Sequence, residues 1–264
     1  MFDFHLHCSI SVDSDCPPEE HVRRAEELGL KEICFTDHYD FNDEPERNPA
    51  RPHSLFDVEH YHNVLEAVHS DRVKIRRGVE FGMAPWSVPH MTALIASYPF
   101  DLVIGSIHYI NGFSPFYEDF WQLYQGSGEE RYLTHVLERV KLHRDFDVLA
   151  HLTFPGKSPY KPDKAPMRYE AFPDLYDAIL SALVENGQGL EINTSAVSAI
   201  GECLPSITFL RRFRELGGEV ITVGSDAHKS ALLAQHMDIA LALAKEVFGY
   251  VCTFEQRKPI FHTL

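Results

Sequence analysis

The chain of 264 residues is poor in cysteine, in positive charge and in long apolar runs. Its five cysteines (Cys8, Cys16, Cys34, Cys203, Cys252) are odd in number, scattered, and form no CxxC pair. That argues against a disulfide scaffold and against a thiolate zinc module. No apolar run approaches the roughly 18 residues read as a membrane-spanning helix. The first residues, Met1-Phe2-Asp3-Phe4-His5, have neither a basic segment nor an apolar one, so no signal peptide is expected and the default location is cytoplasmic. Lys and Arg total 24 against 39 Asp and Glu, a formal charge of −15. So acidic a surface repels polyphosphate backbones, which argues against sequence-independent nucleic-acid binding.

What is plentiful is histidine, with 16 copies. Strand-like and helix-like segments alternate nearly end to end, giving about seven β/α units. The expected strands are Met1–His7, Ile33–Thr36, Val73–Phe81, Leu102–Ile107, Val148–Ala150, Leu190–Ile192 and Val220–Val223, with a terminal strand at Tyr250–Phe254. Helices are expected near Pro17–Leu28, Asp57–Ser70, Val88–Tyr98, Glu129–Arg144, Tyr169–Glu185, Ser206–Leu216 and Ser230–Phe248. No linker or composition break divides the chain, so residues 1–264 are expected to form one domain. A Gly-rich turn after the first strand, the mark of an open doubly wound sheet, is absent. The expected fold class is therefore α/β, as a closed or nearly closed parallel barrel.

Residues with ligand chemistry cluster at the C-terminal ends of these strands. His5 and His7 end the first, and i, i+2 positions share one face of a strand. Asp37-His38, Glu80, His108 and His151 end the next four. Glu191 and Asn193 end the sixth, and Asp226 and His228 follow the seventh, again at i, i+2. A parallel barrel gathers all these ends on one rim. A lone His or Asp there is ordinarily a hydrogen-bonded structural residue. Two i, i+2 pairs and three single ligands, each after its own strand, instead point to a metal site. Imidazole and carboxylate without thiolate suit Zn²⁺, Mn²⁺ or Fe²⁺. Two to three such divalent ions are expected, and a pair ~3.5–4 Å apart can share a hydroxide and bind a phosphoryl oxygen.

Two other signals are weaker. Asp13-Ser14-Asp15 has the spacing of an aspartyl nucleophile motif but no strand directly before it. Cys8 lacks a phosphate-cradling loop. The remaining histidines, including His21, His53, His62 and His143, are expected at the surface.

The segments Asp3-Phe4-His5-Leu6-His7, Thr36-Asp37-His38, Gly78-Val79-Glu80, Ser106-Ile107-His108, Ala150-His151, Glu191-Ile192-Asn193-Thr194 and Gly224-Ser225-Asp226-Ala227-His228 together resemble the PHP (polymerase and histidinol phosphatase) family. The size, and the run Glu191–Ser195 followed by Pro205-Ser206, look most like its stand-alone histidinol-phosphate phosphatases. The resemblance implies a distorted, TIM-like (β/α)7 barrel with a trinuclear metal centre. Carried over, His5, His7, Glu80 and Asp226 would hold a first ion. Glu80, bridging, with His108 and His151 would hold a second. His38, His228 and Asp13 would hold a third, with Asp15 as a nearby substitute for Asp13.

The implied reaction is hydrolysis of a small phosphomonoester, L-histidinol phosphate first, by a hydroxide bridging two ions. His228, or His38 when not committed to metal, would protonate the leaving alkoxide, and Asp226 is placed with them as catalytic. The alternatives are another small phosphoester (a nucleotide or a cyclic phosphodiester) and a 3′-5′ exonuclease-type module. The sequence departs from its relatives after Ser195, where Ala196-Val197-Ser198 replaces a Gly and a basic residue. The phosphate contact is therefore expected from Lys157, Lys161, Lys164 or Arg168, with Glu191, Asp40 and Asn193 as further substrate contacts. The aromatic loop (Phe113, Phe116, Tyr117, Phe120, Trp121, Tyr124) would shape the pocket. The partner is a small phosphorylated metabolite, with neither nucleic acid nor membrane expected; the oligomeric state is not legible.

Overall fold

A computed structural model describes residues 1–264. The strands are β1 (Phe2–Leu6), β2 (Glu32–Phe35), β3 (His38–Asp40), β4 (Lys74–Gly82), β5 (Leu102–Ser106), β6 (Val148–Leu149), β7 (Gly189–Asn193), β8 (Ile221–Gly224), β9 (Tyr250–Glu255) and β10 (Lys258–Thr263). The helices are α1 (Pro18–Leu28), α2 (Val58–Glu66), α3 (Val88–Ser97), α4 (Glu118–Leu123), α5 (Gly128–Leu142), α6 (Pro173–Asn186), α7 (Val197–Ile200), α8 (Ile207–Glu215) and α9 (Met237–Val247). A parallel sheet runs β1-β2-β4-β5-β6-β7-β8. It curls until the chain just beyond β8 meets β1, where Asp226 N–H donates to His5 O at 2.8 Å and His7 N–H to Ala227 O at 2.9 Å. The barrel thus closes through the backbone of four residues on the rim.

The seven barrel positions hold eight strands because one position is broken. β4 is nine residues long. Its first half pairs with β2 and its second half with β3, His38 opposite Glu80. At the break the buried Asp37 carboxylate accepts from Cys8 N–H (2.8 Å), Ser11 N–H (3.1 Å) and Ser11 Oγ (2.7 Å), capping the loop after β1. A three-residue strand after such a break has no periodicity to read, so β3 was not expected.

Sequence punctuation sets the helix ends. Pro18 opens α1, and Gly29 ends it in the left-handed region at φ 68°. α6 starts at Pro173, later than expected, because proline lacks an N–H and suits a first turn. α9 starts seven residues later than Ser230. There Ala234 N–H donates to Asp3 (2.9 Å) and Thr194 Oγ donates to Gln235 O (2.7 Å), holding that stretch out of the helix. α4, α7 and β10 were also not expected. The β9–β10 hairpin covers the opposite end of the barrel, where Arg257 donates to Asp101 O and to the Asp147 carboxylate, both at 2.9 Å.

Both faces of the sheet are buried, and one continuous apolar core runs from Phe2 to Phe254. His21, His62 and His143, expected at the surface, are buried instead. His21 Nε2 lies 3.0 Å from His7 O and His143 Nε2 2.8 Å from Ala84 O, so each ring's polar edge meets a carbonyl. No helix is long and apolar enough to cross a membrane.

Candidate metal centre

The barrel rim carries the nine expected ligands. They converge as overlapping groups: His5, His7 and Glu80; His5, His151 and Asp226; Glu80, His108 and His151; His7, His38 and His228. All but His38, His228 and Asp13 belong to residues more than nine-tenths buried. Two ligands carry backbone strain, Asp226 at φ 56° and His151 at φ 25°. Such conformations cost of order 1–3 kcal/mol and persist where surrounding contacts enforce them.

Outer partners fix most of the imidazole tautomers. His5 Nδ1 donates to Glu191 Oε1 at 2.7 Å. Ser11 gives its hydroxyl proton to Asp37, so it must accept from His7 Nδ1 at 3.1 Å. His108 Nδ1 donates to Asp40 Oδ2 at 2.8 Å, and His228 Nδ1 to Asp226 O at 2.9 Å. Each of these rings therefore presents a bare Nε2, as metal-binding histidines do.

The bare nitrogens of His5 and His7 face each other, and that of His108 faces His151 Nε2, which also lies within hydrogen-bond distance of Glu80. His5 Nε2 and His7 Nε2 are 3.1 Å apart, and His108 Nε2 and His151 Nε2 are 3.4 Å apart. Two lone pairs at the His5–His7 distance repel unless a cation lies between them. Around the first pair, Glu80 Oε2 is 3.4 Å from His5 and 3.5 Å from His7. Asp226 Oδ1 is 3.7 Å from His5 and 3.3 Å from His7. A tetrahedral ion with bonds of ~2.0–2.2 Å has ligand–ligand edges of about 3.3–3.6 Å. The donor set fits a divalent ion in both spacing and chemistry.

Glu80 sits between two groups. Its Oε1 lies 2.9 Å from His151 Nε2 and 3.3 Å from His108 Nε2. Its Oε2 faces His5, His7 and, at 2.9 Å, His38 Nδ1. Yet neither Oε2 nor His38 Nδ1 makes a hydrogen bond, and both are buried. Asp13 Oδ2 stands 3.4 Å from His38 Nε2 and 3.3 Å from His228 Nε2, completing a third group. Asp15 is exposed and makes no contact with the cluster.

Charge reinforces this reading. Burial alone would raise the Glu80 carboxyl, but His5, His108 and His38 outweigh it and hold it well below the usual range. Burial would lower His5, yet Glu191, Glu80 and Asp226 push it well above its ordinary value. Burial, with His228 and His38, pushes His7 well below.

Glycines make room for these carboxylates. A Cβ at Gly224 would come 2.4 Å from His5 Cβ and 2.5 Å from Glu191 Oε1, and one at Gly82 would come 2.4 Å from Asp40 Oδ1.

The expected substrate contacts divide. Lys157 lines the cavity, with Nζ 2.9 Å from Asp226 Oδ2. Lys161 does not: it is buried elsewhere, paired with Glu129 and Asp163. Arg168 pairs with Glu202 outside the cavity, and Lys164 is exposed away from it. Glu191 bonds His5 from behind and Asn193 bonds Glu191 at 3.2 Å, whereas Asp40 lines the cavity while its Oδ2 holds His108. Of the aromatic loop, Phe116 and Tyr117 line the cavity, while Phe120 and Trp121 are core. Residues 50–54, Tyr109, Ser114 and Phe154 complete a cavity of about 540 Å³. The histidine spacing gave no sign of Ser11, Arg51 or Tyr109. A larger groove near Arg72 and Lys74, of about 800 Å³, holds none of the ligands.

Fold and site together define a parallel α/β barrel whose C-terminal rim gathers several histidine and carboxylate groups that could hold metal ions. Residues 3–195 match the PHP domain, and the chain belongs to that family. It is 31% identical over 263 residues to the histidinol-phosphatase of Lactococcus lactis, covering 97% of this chain and 95% of the relative. It is 30% identical over 261 residues to a histidinol-phosphatase, so named with the word "probable", of Clostridium acetobutylicum, covering 97% and 98%. The crystal structure of histidinol phosphate phosphatase from Lactococcus lactis, complexed with zinc, L-histidinol and phosphate, superposes with a TM-score of 0.85. That pair shares 28% identity and covers 98% of each chain.

Proposed function

We propose that this chain is a metal-dependent phosphomonoesterase that hydrolyses L-histidinol phosphate to L-histidinol and phosphate. The observation that carries the chemistry is Glu80, whose two oxygens face two pairs of converging imidazole nitrogens. The end-to-end likeness to histidinol-phosphatases supports the substrate. His5, His7, Glu80 and Asp226 would hold one ion, Glu80 with His108 and His151 a second, and Asp13, His38 and His228 a third. When bound, such ions activate water at neutral pH and neutralise phosphoryl oxygens.

The protein's own groups do the rest. Glu191, Ser11 with Asp37, and Asp40 keep His5, His7 and His108 in the ligating tautomer. Lys157 holds the Asp226 carboxylate and places a cation beside the phosphate. His228, half-buried at the rim, would hand a proton to the leaving alkoxide only when its Nε2 is protonated and not committed to the third ion. Phe116, Tyr117 and Phe154 wall the cavity and exclude water.

A second reading, another small phosphomonoester, has one observation in its favour. Of the acids expected to meet the substrate ammonium, Glu191 is engaged behind the imidazoles, and only Asp40, whose Oδ2 holds His108, lines the cavity. A substrate panel on metal-loaded protein separates the two. Histidinol phosphate should exceed p-nitrophenyl phosphate and AMP in kcat/KM by at least about 100-fold, or ~2.7 kcal/mol. Equal turnover of all three would reject the histidinol assignment.

A further inference from the structure

Two cations line the cavity, Lys157 and Arg51. Lys157 is engaged, its Nζ donating to Asp226 Oδ2 at 2.9 Å and Ser195 Oγ at 3.0 Å. Arg51 forms no ion pair in the fold, and its guanidinium donates to no protein atom. It lies instead over the Tyr117 ring, with Cζ 3.3 Å from the centroid. Stacking satisfies the face of a guanidinium and leaves its edge, a planar fork of N–H donors, for a ligand.

The segment carrying Arg51 is held firmly. Arg51 N–H donates to Asn48 O at 2.9 Å, and Arg51 O accepts from Asn42 Nδ2 at 2.6 Å. Three residues on, Ser54 pairs with Asp40 in both directions, at 2.7 and 2.9 Å. The side chain of Asp40 orients His108. The backbone of Arg51 is therefore clamped to the strand that positions a proposed ligand. Three extended residues span at most about 10 Å, so Arg51 stays close to that strand. On the other part of the rim, the residues after Ser195 are Ala196, Val197 and Ser198, which supply no cation.

We propose that Arg51 is a substrate-binding residue whose guanidinium engages the phosphate oxygens of the phosphomonoester. It supplies the fork that the Ala196-Val197-Ser198 stretch lacks. Lys157 is a point charge tied to Asp226, whereas Arg51 offers paired donors to a dianion. The inference rests on the phosphatase reading only in that a phosphate enters this cavity.

Calorimetric titration of the metal-loaded protein with inorganic phosphate tests it without any substrate. Failure of the histidinol assignment leaves this measurement untouched. Arg51→Met should weaken phosphate binding at least about tenfold. Arg51→Lys, which keeps charge but loses the fork, should fall between. Metal content and the affinity for L-histidinol should not change. Phosphate affinity within about twofold of wild type in Arg51→Met would overturn the proposal, as would an effect on L-histidinol alone. If Arg51→Met loses metal, Arg51→Lys decides: weaker phosphate binding with full metal supports the proposal, and unchanged binding overturns it.

Discussion

Replacing Glu191 with Gln exchanges one carboxylate oxygen for an amide NH2 and tests how the proposed first ion's site is built. Glu191 accepts from His5 Nδ1 at 2.7 Å through Oε1, and from His151 N–H at 2.9 Å and Asn193 Nδ2 at 3.2 Å through Oε2. Every neighbour is a donor, and glutamine has only one acceptor oxygen. If its amide nitrogen faces His151, a donor meets a donor in the core. If it faces His5, the ring must move its proton to Nε2 and lose the ligating lone pair. A lost hydrogen bond to a charged group is worth about 1.5–3 kcal/mol. Outer partners of metal-binding histidines typically carry about 10–100-fold in affinity, which is the same range. Competition with a chromophoric zinc chelator measures it. Zinc affinity should fall about 10–100-fold, while KM at saturating zinc stays within about threefold. Unchanged zinc affinity with a raised KM would refute the reasoning and put Glu191 against the substrate.

Three more outcomes follow from the same geometry. Ser11→Ala leaves His7 Nδ1 and the His38 N–H without a partner, so thermal unfolding should report a loss of about 1–3 kcal/mol and metal binding should weaken. A midpoint equal to wild type would contradict the assigned tautomer. Gly224→Ala pushes a methyl into His5 and Glu191 and should cost about 1–3 kcal/mol with loss of bound metal; retention of both would show that the approach is not tight. Burial lowers His21 to about 4 from 6.5, so the folded chain binds fewer protons than the unfolded one between those values. Its contribution is complete above pH 6.5 and lost as pH falls towards 4, up to about 3 kcal/mol. His21→Gln, which keeps a donor to His7 O, should flatten the fall in unfolding midpoint over that window; parallel curves would contradict it.

The ligands were legible because barrel topology converts strand ends into one rim. His5, His7, Glu80, His108, His151 and Asp226 could be named from spacing and resemblance. Their partners could not. Ser11 and Asp37 act through a broken strand with no period, and Asp40 lies on a strand of three residues. Lys161 and Arg168 looked free because Glu129, Asp163 and Glu202 reach them only in the fold. The late start of α9 is likewise tertiary, set by Asp3 and Thr194. The buried histidines show the same limit: one carbonyl oxygen per ring is enough to bring His21 and His143 inside. The charge of −15 gains a meaning that composition lacked. Within the rim the carboxylates Asp13, Glu80 and Asp226 meet imidazoles, and metal rather than lysine would supply most of the positive charge.

The most direct measurement is a metal titration of chelator-stripped protein with zinc or manganese, following phosphate release from L-histidinol phosphate against ions bound per chain. The account predicts no turnover without metal and a rise that needs at least two ions per chain. Full turnover with no metal, or with a single ion, would contradict it.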